Sequence, residues 1–337
     1  MRTLLIRFSA LGDLVLTLPA LRDLSASGQS LHFLTLDRFA ELLSPLSEID
    51  RVWSLDPSQG ITGLRLLAGQ LKDEGFGNIL DLHDNLRSRT LRIMMAGSRA
   101  HWIRTRRDSL RRRLLVSAPA LLKAELRNQP YLTVAERHRE AAAKLTEGPR
   151  AQERVYPVLT DFDSDLEAMG LPREARPLGL APAAAWSQKA WPRFEEFARA
   201  LPADLPLLVF GGPGEEDLCH RVAEAAGLRA TVFAGGRPLP QVATALARCR
   251  GLIGGDSGLA HLAEAVGIPV CTLFGPTVPE FGFAPRRVDS LLIQRDLPCR
   301  PCSLHGKRPC KYGDLRCLSG IEPKSVIAEL DLGGWLE

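Results

Sequence analysis

The sequence predicts an α/β protein built from two doubly wound parallel sheets. Short β-type runs alternate with helical patterns from the first residue onward, as in sheets whose strands are joined by crossover helices. A proline-containing stretch of mixed charge, residues 148–177, interrupts this alternation. The 337 residues are enough for two domains, 1–160 and 161–337. We expect the domains to face each other across a cleft, with ligands beyond the carboxyl ends of the strands.

In the first domain, short runs rich in apolar and β-branched residues predict strands at residues 3–8, 31–36, 51–55, 78–82 and 100–103. Apolar residues at helical spacing predict helices between these strands, at 14–24 and 62–74. A longer helix at 131–145 closes this half of the chain.

The second domain repeats the alternation. Strands are predicted at 177–181, 205–211, 230–234, 251–254, 270–274 and 290–293. Helices are predicted at 193–201, 215–226, 240–248 and 259–266. A cysteine-rich loop at 299–317 and a C-terminal helix complete the domain.

Charge and hydropathy give no indication of a nucleic-acid-binding protein or of a membrane-spanning one. The formal net charge of +4 is too small to indicate nucleic-acid binding by itself, and no run of 18 apolar residues predicts a membrane span. Arg7 and Asp13 interrupt the apolar N-terminus, which therefore favours a first strand entering a helix over a signal peptide. We expect a cytoplasmic protein.

The first candidate motif joins the first strand to a helix through Ser9, Gly12 and Asp13. Asp13 has two interpretations: a cap for the helix N-terminus, or a carboxylate that accepts a proton from a substrate hydroxyl. The motif lacks the Gly-x-Gly-x-x-Gly pattern of dinucleotide sites, which argues against an NAD enzyme.

The second motif, residues 254–263, runs from an apolar strand through glycines into a helix. Backbone amides near Ser257 and Gly258 would attract phosphate oxygens at the helix start, although a simple capped turn would have the same pattern. Asp256 lies immediately before these residues, and His261 lies one turn into the helix. His261 is as consistent with a buried structural histidine as with a ligand contact.

Two further motifs follow strands of the second domain. Lys189, in Lys-x-Trp-Pro, could place a point charge on a diphosphate or could be a solvated surface lysine. Glu215 follows three glycines that let the backbone approach a ligand, so it could bind ribose hydroxyls. The alternative is an acidic residue favoured by the helix dipole.

Taken in order, these motifs resemble glycosyltransferase family 9, the ADP-heptose:lipopolysaccharide heptosyltransferases. The residues that match the family pattern are Ser9, Gly12, Asp13 and Pro19, then Asp81 to Ser88, then Lys189, Trp191 and Pro192, then Asp256 to Ala263, and finally Leu273 to Thr277. The resemblance covers nearly the whole chain. It implies a GT-B fold, in which two Rossmann-like domains face a central cleft.

The resemblance also implies an inverting transfer of heptose from ADP-heptose to a Kdo or heptose residue of the lipopolysaccharide inner core, with no cofactor needed for the chemistry. Asp13 would be the general base. The residues implied on the donor side are Lys189, Glu215, Asp256, Ser257, Gly258, His261 and Thr277. Those implied on the acceptor side are Ser9, Gly12, Asn85 and Arg87.

An arginine-rich stretch, residues 99–113, contains seven arginines and one acidic residue. It could be a solvated charged face. Alternatively, Arg111, Arg112 and Arg113 bind acceptor carboxylates or phosphates and make peripheral contact with the anionic inner-membrane surface. Nucleic acid is not expected as a partner, because no pattern of stacking aromatic residues accompanies the basic run.

Four cysteines, Cys299, Cys302, Cys310 and Cys317, have the spacing C-x₂-C-x₇-C-x₆-C in a Gly/Pro-rich loop. This spacing is compatible with a structural zinc or iron site of four thiolates, and equally with reduced cysteines that pack a small loop. A disulfide is not expected in the cytoplasm.

Two other functions remain open at this point. One is an enzyme of the same fold that uses another sugar nucleotide, such as a UDP-sugar transferase or an epimerase. The other is a non-catalytic nucleotide-binding scaffold. Asp13 discriminates between catalyst and scaffold, since a scaffold would not need its carboxylate.

Overall fold

The computed structural model of the chain describes residues 1–106, 108–118, 120–146, 150–152, 155–159 and 162–336, without the side chains of residues 120, 163 and 164. Part of the predicted interdomain segment and Arg107 therefore lie outside the described residues. The chain forms two compact units. Unit 1 contains Met1–Arg107 and Leu132–Pro157, and unit 2 contains Asp108–Tyr131 and Val158–Glu337. Asp108–Tyr131, which the sequence analysis included in the first domain, thus belongs to the second unit.

Unit 1 is built on a parallel sheet in the order β3-β2-β1-β4-β5. The strands are β1 (Arg2–Ile6), β2 (Ser30–Leu36), β3 (Arg51–Leu55), β4 (Asn78–Asp81) and β5 (His101–Arg104). The helices are α1 (Leu11–Val15), α2 (Leu18–Ala26), α3 (Asp37–Leu43), α4 (Gly60–Asp73), α5 (Leu86–Met94) and α8 (Val134–Ala142). Leu4, Leu5 and Ile6 of β1 are completely buried, as expected for a central parallel strand covered on both faces.

The helix predicted at 14–24 is divided in two, α1 and α2. Pro19 is the second residue of α2 and has no N–H to donate to the carbonyl of Val15, the last residue of α1. The Thr17 hydroxyl donates instead to the Leu14 carbonyl at 2.6 Å, in the turn between the two helices. The helix predicted at 131–145 is shorter, because Thr133 caps α8 through reciprocal hydrogen bonds with Glu136.

Unit 2 is built on a second parallel sheet, in the order β11-β10-β9-β6-β7-β8. Its strands are β6 (Leu178–Ala181), β7 (Leu207–Phe210), β8 (Ala230–Phe233), β9 (Gly251–Gly255), β10 (Val270–Phe274) and β11 (Leu291–Gln294). Its helices are α6 (Ser109–Ser117), α7 (Ala120–Asn128), α9 (Asp163–Ala168), α10 (Phe194–Ala200), α11 (Glu216–Ala226), α12 (Leu239–Ala247), α13 (Gly258–Ala265), α14 (Arg316–Ser319) and α15 (Pro323–Leu332).

The core of unit 2 joins the segment after β6 to the C-terminal part of the chain. Trp191 is 2% exposed, packs edge-on against Phe194 and donates its indole N–H to the carbonyl of Ile321 at 3.2 Å. The Trp-Pro pair of the third motif therefore anchors its loop to the core. Within the described ranges, no helix is long and apolar enough to cross a bilayer.

These two sheets confirm the predicted fold class, two parallel-sheet α/β domains. Each predicted strand is present within two residues of its predicted limits. The predictions missed α3, α5, α6, α7 and α14, which are short or rich in charged residues.

Candidate active site

Each sheet reverses its strand order beside its first strand. In unit 1, β1 lies between β2 and β4, and in unit 2, β6 lies between β7 and β9. Loops that leave neighbouring strands at such a point diverge and form the crevice in which doubly wound folds bind ligands. The motifs identified in the sequence follow β1 and β4 in unit 1, and β6, β7, β9 and β10 in unit 2. They therefore lie where each sheet can bind a ligand.

Asp13 lies in the first turn of α1, directly after β1. One carboxylate oxygen lies 2.8 Å from the guanidinium of Arg7, and the other accepts a long bond of 3.5 Å from the N–H of Ala10. The side chain is 25% exposed, so a substrate can still reach it. Arg7 also donates to the Ser9 carbonyl at 2.9 Å, and Gly12 is buried in the same turn. Asp13 can therefore stabilise the start of α1 and still accept a proton from a substrate.

The loops after β1 and β4 are tied together. Arg7 donates to the carbonyl of Leu82 at 2.6 Å, and the N–H of Phe8 donates to Nδ1 of His83 at 3.0 Å. The Arg87 guanidinium lies over the Phe8 ring, 5.5 Å from its centroid. Arg87 is thereby held next to the loop that carries Asp13.

Asn85 has a local structural role. Its side-chain oxygen accepts from the N–H of Ser88 at 2.9 Å, and the Ser88 hydroxyl accepts from the N–H of Asn85 at 3.1 Å. This reciprocal pair caps α5. The Asn85 amide nitrogen also lies 3.1 Å from Nε2 of His83, so its orientation is fixed on both sides.

His138 of α8 is a titratable group beside Asp13 that the sequence analysis did not select. Its Nδ1 lies 3.0 Å from the carbonyl of Leu16. Burial, and to a smaller extent the positive charge of Arg7, lower the pKa of His138 to about 4, although the hydrogen bond to the Leu16 carbonyl and the carboxylate of Asp13 oppose the shift. The imidazole is therefore neutral at pH 7 and adds no charge to the Asp13–Arg7 pair.

This burial predicts a loss of stability in acid. The unfolded His138 takes up a proton near pH 6.5, but the folded one does so only near its pKa of about 4, so stability is full above pH 6.5 and falls as the pH drops. We expect this one residue to lower the free energy of unfolding by about 2 kcal/mol at pH 5. Urea unfolding of the wild type and His138→Asn at pH 7 and pH 5 measures the difference.

Between pH 7 and pH 5, the free energy of unfolding should fall less in His138→Asn than in the wild type. His220→Asn is the control, since His220 is exposed on α11. An equal fall in the wild type and in His138→Asn would show that His138 is not the cause of the loss of stability in acid.

Three predicted donor-side residues of unit 2 meet at one carboxylate oxygen. The Lys189 ammonium lies 2.7 Å from Oδ2 of Asp256, and the Thr277 hydroxyl donates to the same oxygen at 2.8 Å. Thr277 is buried, and the side chains of Lys189 and Asp256 are 14% and 9% exposed. This Lys189–Asp256–Thr277 cluster joins the loops after β6, β9 and β10.

The backbone around the cluster leaves no room for larger residues. A Cβ atom at position 255 would lie 2.6 Å from the carbonyl oxygen of Lys189, which explains the glycine before Asp256. Ser257 is the N-cap of α13, but its side chain makes no capping hydrogen bond. The first amides of α13, from Gly258 onward, can therefore bind an anion. His261 is buried, with its ring 6.0 Å from that of Phe283.

Glu215 closes its own glycine-rich turn. Its carboxylate accepts from the N–H of Gly212 at 2.7 Å, just before α11. Gly211 is required in this turn, since a Cβ atom there would lie 2.4 Å from Sγ of Cys219. One Glu215 oxygen is thus used by the backbone, and the side chain remains partly exposed beside the end of β7.

Arg300, between the first two cysteines of the loop, is a residue the sequence analysis missed. It is 1% exposed and donates to the carbonyls of Gly275 at 2.5 Å and Thr277 at 2.9 Å. It also donates to the Arg295 carbonyl and, at 2.9 Å, to the Gln294 side chain. Burial lowers the pKa of Arg300. Arg300 thus fixes the backbone on both sides of the β10 loop that carries Thr277.

The cysteine-rich loop also packs against the segment that carries Lys189. The N–H of Cys310 donates to Oε1 of Gln188 at 2.9 Å, and the Lys307 ammonium lies 4.2 Å from the ring centroid of Trp186. Gly306 has a positive φ of 81°, and a Cβ atom there would lie 2.5 Å from Cγ of Lys189. The loop therefore supports the cluster from outside the sheet.

Cys299, Cys302, Cys310 and Cys317 all carry free thiols. Burial raises the pKa of Cys317 to about 11. Burial also opposes ionisation of Cys310, but backbone N–H groups of residues 312–315 outweigh it and lower its pKa. In the described part of the chain, no three His, Cys, Asp or Glu side chains are arranged to hold a metal ion. A structural zinc or iron site at these cysteines stays a prediction, which metal analysis of purified protein would test.

The arginine-rich stretch is divided between the two units. Arg111 donates to the carbonyls of Leu126 at 2.8 Å and Glu280 at 3.2 Å. Arg112 donates to the Leu304 carbonyl at 3.1 Å, with its guanidinium 4.8 Å from the centroid of the Phe281 ring. These contacts engage both arginines inside unit 2. Of the three arginines predicted to bind the acceptor, Arg113 is the exposed one.

Comparison with known proteins identifies the family. The chain matches the sequence profile "Glycosyltransferase family 9 (heptosyltransferase)" over residues 64–312. It is 27% identical to lipopolysaccharide heptosyltransferase 1 of Pseudomonas aeruginosa, with 98% of this chain and 97% of that protein covered.

Solved structures share the fold. The glycosyl transferase family 9 structure from Veillonella parvula superposes with a TM-score of 0.79 at 19% identity, covering 98% of this chain and 96% of the other. Escherichia coli heptosyltransferase WaaC with ADP superposes with a TM-score of 0.71 at 22% identity, covering 99% and 100%. The family profile spans well over half of the chain, and the chain therefore belongs to glycosyltransferase family 9, the heptosyltransferases.

Proposed function

We propose that this glycosyltransferase moves a heptose from ADP-heptose to an acceptor in the lipopolysaccharide inner core, with inversion at the anomeric carbon. The observation that carries the proposal is the Lys189–Asp256–Thr277 cluster beside the open N-terminus of α13. The names of the relatives agree with it, since they describe a lipopolysaccharide heptosyltransferase and a heptosyltransferase crystallised with ADP.

The donor diphosphate would bind at this cluster. The Lys189 ammonium has N–H donors beyond the one that faces Asp256, and these and the first amides of α13 can donate to phosphate oxygens. Thr277, whose hydroxyl proton goes to Asp256, would hold that carboxylate in place beside the diphosphate. The ammonium and the amides would also stabilise the negative charge that grows on the departing ADP as the bond from the anomeric carbon to the phosphate oxygen breaks. Glu215, beside the end of β7, is the candidate for the ribose hydroxyls.

The acceptor would bind in unit 1. Its hydroxyl oxygen attacks the anomeric carbon from the face opposite the diphosphate, and the hydroxyl proton passes to the carboxylate of Asp13. Arg7, 2.8 Å away, keeps that carboxylate in place. The products are ADP and the heptosylated acceptor. Ser9, Gly12, Asn85 and Arg87 shape the loops around this carboxylate.

We further propose peripheral contact with an anionic inner-membrane surface from the cytoplasmic side. Arg113 is exposed, and Leu110 and Leu114 of the same helix are 71% and 41% exposed. A basic residue between exposed leucines is typical of helices that lie on lipid. Transfer to acceptor in anionic vesicles, compared with zwitterionic vesicles, measures this contact.

The decisive experiment measures the affinity for the donor nucleotide and the transfer of heptose. Purified protein is titrated with ADP and with UDP, and transfer from ADP-heptose to inner-core acceptor is followed by mass spectrometry. In Lys189→Gln, we expect ADP affinity to fall about tenfold or more, because a charge-assisted contact to phosphate is lost. Tighter binding of UDP than ADP, or no heptose transfer by the wild type, would overturn the proposal.

Lys189→Gln also leaves the Asp256 carboxylate without its ammonium partner. The double variant Lys189→Gln/Asp256→Asn removes both charges, so it should regain stability without regaining ADP affinity. Lys324→Gln, an exposed lysine of α15, is the matched control and should bind ADP as the wild type does.

A further inference from the structure

The Lys189–Asp256–Thr277 cluster carries little net charge. Lys189 and Asp256 pair at 2.7 Å, so the positive charge of one balances the negative charge of the other, and Thr277 is neutral. The start of α13 adds only about half a positive charge. Both phosphoryl groups of a nucleoside diphosphate are ionised at pH 7. A diphosphate at this cluster would therefore be bound more tightly with a further cation nearby.

The cysteine-rich loop runs beside the cluster and is fixed there at two points. At the first, Gly306 lies so close to Lys189 that a Cβ atom on the glycine would be 2.5 Å from Cγ of the lysine. At the second, the N–H of Cys302 donates to the carbonyl of Pro276 at 3.0 Å, next to Thr277. The loop is thus held against both segments that carry the donors of the cluster.

The residue after Gly306 is an exposed lysine. The Lys307 ammonium lies 4.2 Å from the ring centroid of Trp186, a residue that is 40% exposed. A Cβ atom at position 306 would also lie 3.5 Å from Cβ of Trp186, so Trp186 and Lys189 adjoin the same turn of the loop. The charge of Lys307 is therefore placed at the surface beside Lys189, against an aromatic ring and not against a carboxylate.

The loop as a whole is basic. From Cys299 to Lys311 it contains two lysines and two arginines and no acidic residue. Arg300 is buried and bonds to backbone carbonyls, and the Lys311 ammonium lies over a tyrosine ring, 4.7 Å from its centroid. Lys307 directly follows the glycine that packs on Lys189. An anion at the cluster would therefore meet a basic loop with Lys307 at its near side.

We propose that Lys307 is a second cation for the donor diphosphate, and that its ammonium moves from the Trp186 ring to a phosphate oxygen when the nucleotide binds. This role rests on the proposed function, since it adds a residue to the donor site of that reaction. A cation–π contact at an exposed ring is weak, and a charge-assisted hydrogen bond to phosphate is stronger, so the move is favourable. Lysine suits it, because its ammonium is a point charge on a flexible stem.

A cation over a tryptophan ring can also serve only to hold a loop in place. In that case, removal of the ammonium would lower the free energy of unfolding and leave the affinity for ADP unchanged. The two roles are therefore separable by experiment.

The test is calorimetric titration of ADP into Lys307→Gln and Lys307→Arg. We expect the Kd for ADP to rise about tenfold in Lys307→Gln, as for one lost charge-assisted contact. Lys307→Arg keeps the charge, so its Kd should stay within about threefold of that of the wild type. Added salt should reduce the difference between Lys307→Gln and the wild type, because the charge is exposed and is screened.

Lys311→Gln is the matched control. It also removes an exposed lysine of the same loop from an aromatic ring, and it should bind ADP as the wild type does. Urea unfolding verifies that all variants are folded.

An unchanged Kd in Lys307→Gln, or an equal rise in Lys311→Gln, would overturn the role of Lys307. An equal rise in Lys307→Arg, or a rise that salt does not reduce, would show that the shape of the loop and not the charge is responsible, and would overturn it too. Failure of the wild type to bind ADP would contradict the proposed function itself, whereas wild-type affinity in Lys307→Gln contradicts only this role.

Discussion

Asp13→Asn should lower kcat for heptose transfer by at least about 100-fold while leaving the affinity for ADP unchanged. The amide of asparagine has the same shape and can still accept the N–H of Ala10, so α1 should form as before. It cannot accept the acceptor proton, and it cannot pair with Arg7 as a carboxylate does. The substitution therefore slows the chemical step and not the binding of ADP.

Single-turnover transfer with saturating donor and acceptor measures that step, and calorimetry with ADP measures donor binding. Asp37→Asn is the matched control, because Asp37 is also an aspartate in the first turn of a unit 1 helix. Circular dichroism verifies that both variants are folded. If Asp13→Asn retained the wild-type turnover rate, Asp13 would be a helix cap and another group would act as the base.

Arg300→Met should destabilise unit 2 more than any other single substitution considered above. Methionine fills much of the same volume but leaves the carbonyls of Gly275, Thr277 and Arg295 without their buried donor. Hydrogen bonds from a charged group contribute roughly 1.5–3 kcal/mol each, and relief from burying the charge offsets part of that. We expect a net loss of about 3 kcal/mol in the free energy of unfolding.

Urea unfolding followed by tryptophan fluorescence measures this loss, since Trp191 lies in the core of unit 2. Arg250→Met is the control. Arg250 also donates to two carbonyls, those of Arg176 and Trp335, but it is less buried than Arg300. A loss no larger in Arg300→Met than in Arg250→Met would show that Arg300 is not a main support of this loop. The affinity for ADP should also fall in Arg300→Met alone, because Thr277 is displaced.

The central strands could be predicted from sequence because they are short apolar runs buried on both faces. Leu207, Leu208 and Val209 of β7 are all completely buried, so the run itself carries the signal. The site loops could be located for a related reason. Lys189, Asp256 and Thr277 each follow such a strand, and parallel strands bring their carboxyl ends to one edge.

Other features depend on contacts between residues far apart in the chain. Arg111 bonds to the Glu280 carbonyl and Arg112 to the Leu304 carbonyl, across 169 and 192 residues. A local run of arginines gives no sign of those partners, so the pattern indicated a solvated or ligand-binding surface. Arg300 is similar, since an arginine between two cysteines carries no sequence signal of burial.

The chain crosses between the units at residues 107–108, 131–132 and 157–158, which has a consequence for the order of folding. During synthesis, α6 and α7 leave the ribosome long before their partners in unit 2. Leu115 packs with Val278 and Phe281, and Arg127 pairs with Glu280 at 2.8 Å. Until those residues emerge, Leu115 lacks Val278 and Phe281, the two other buried members of its apolar cluster. Unit 2 therefore cannot be completed by the second half of the chain alone, and a protein cut at residue 160 would yield two fragments, neither of which contains a whole unit 2.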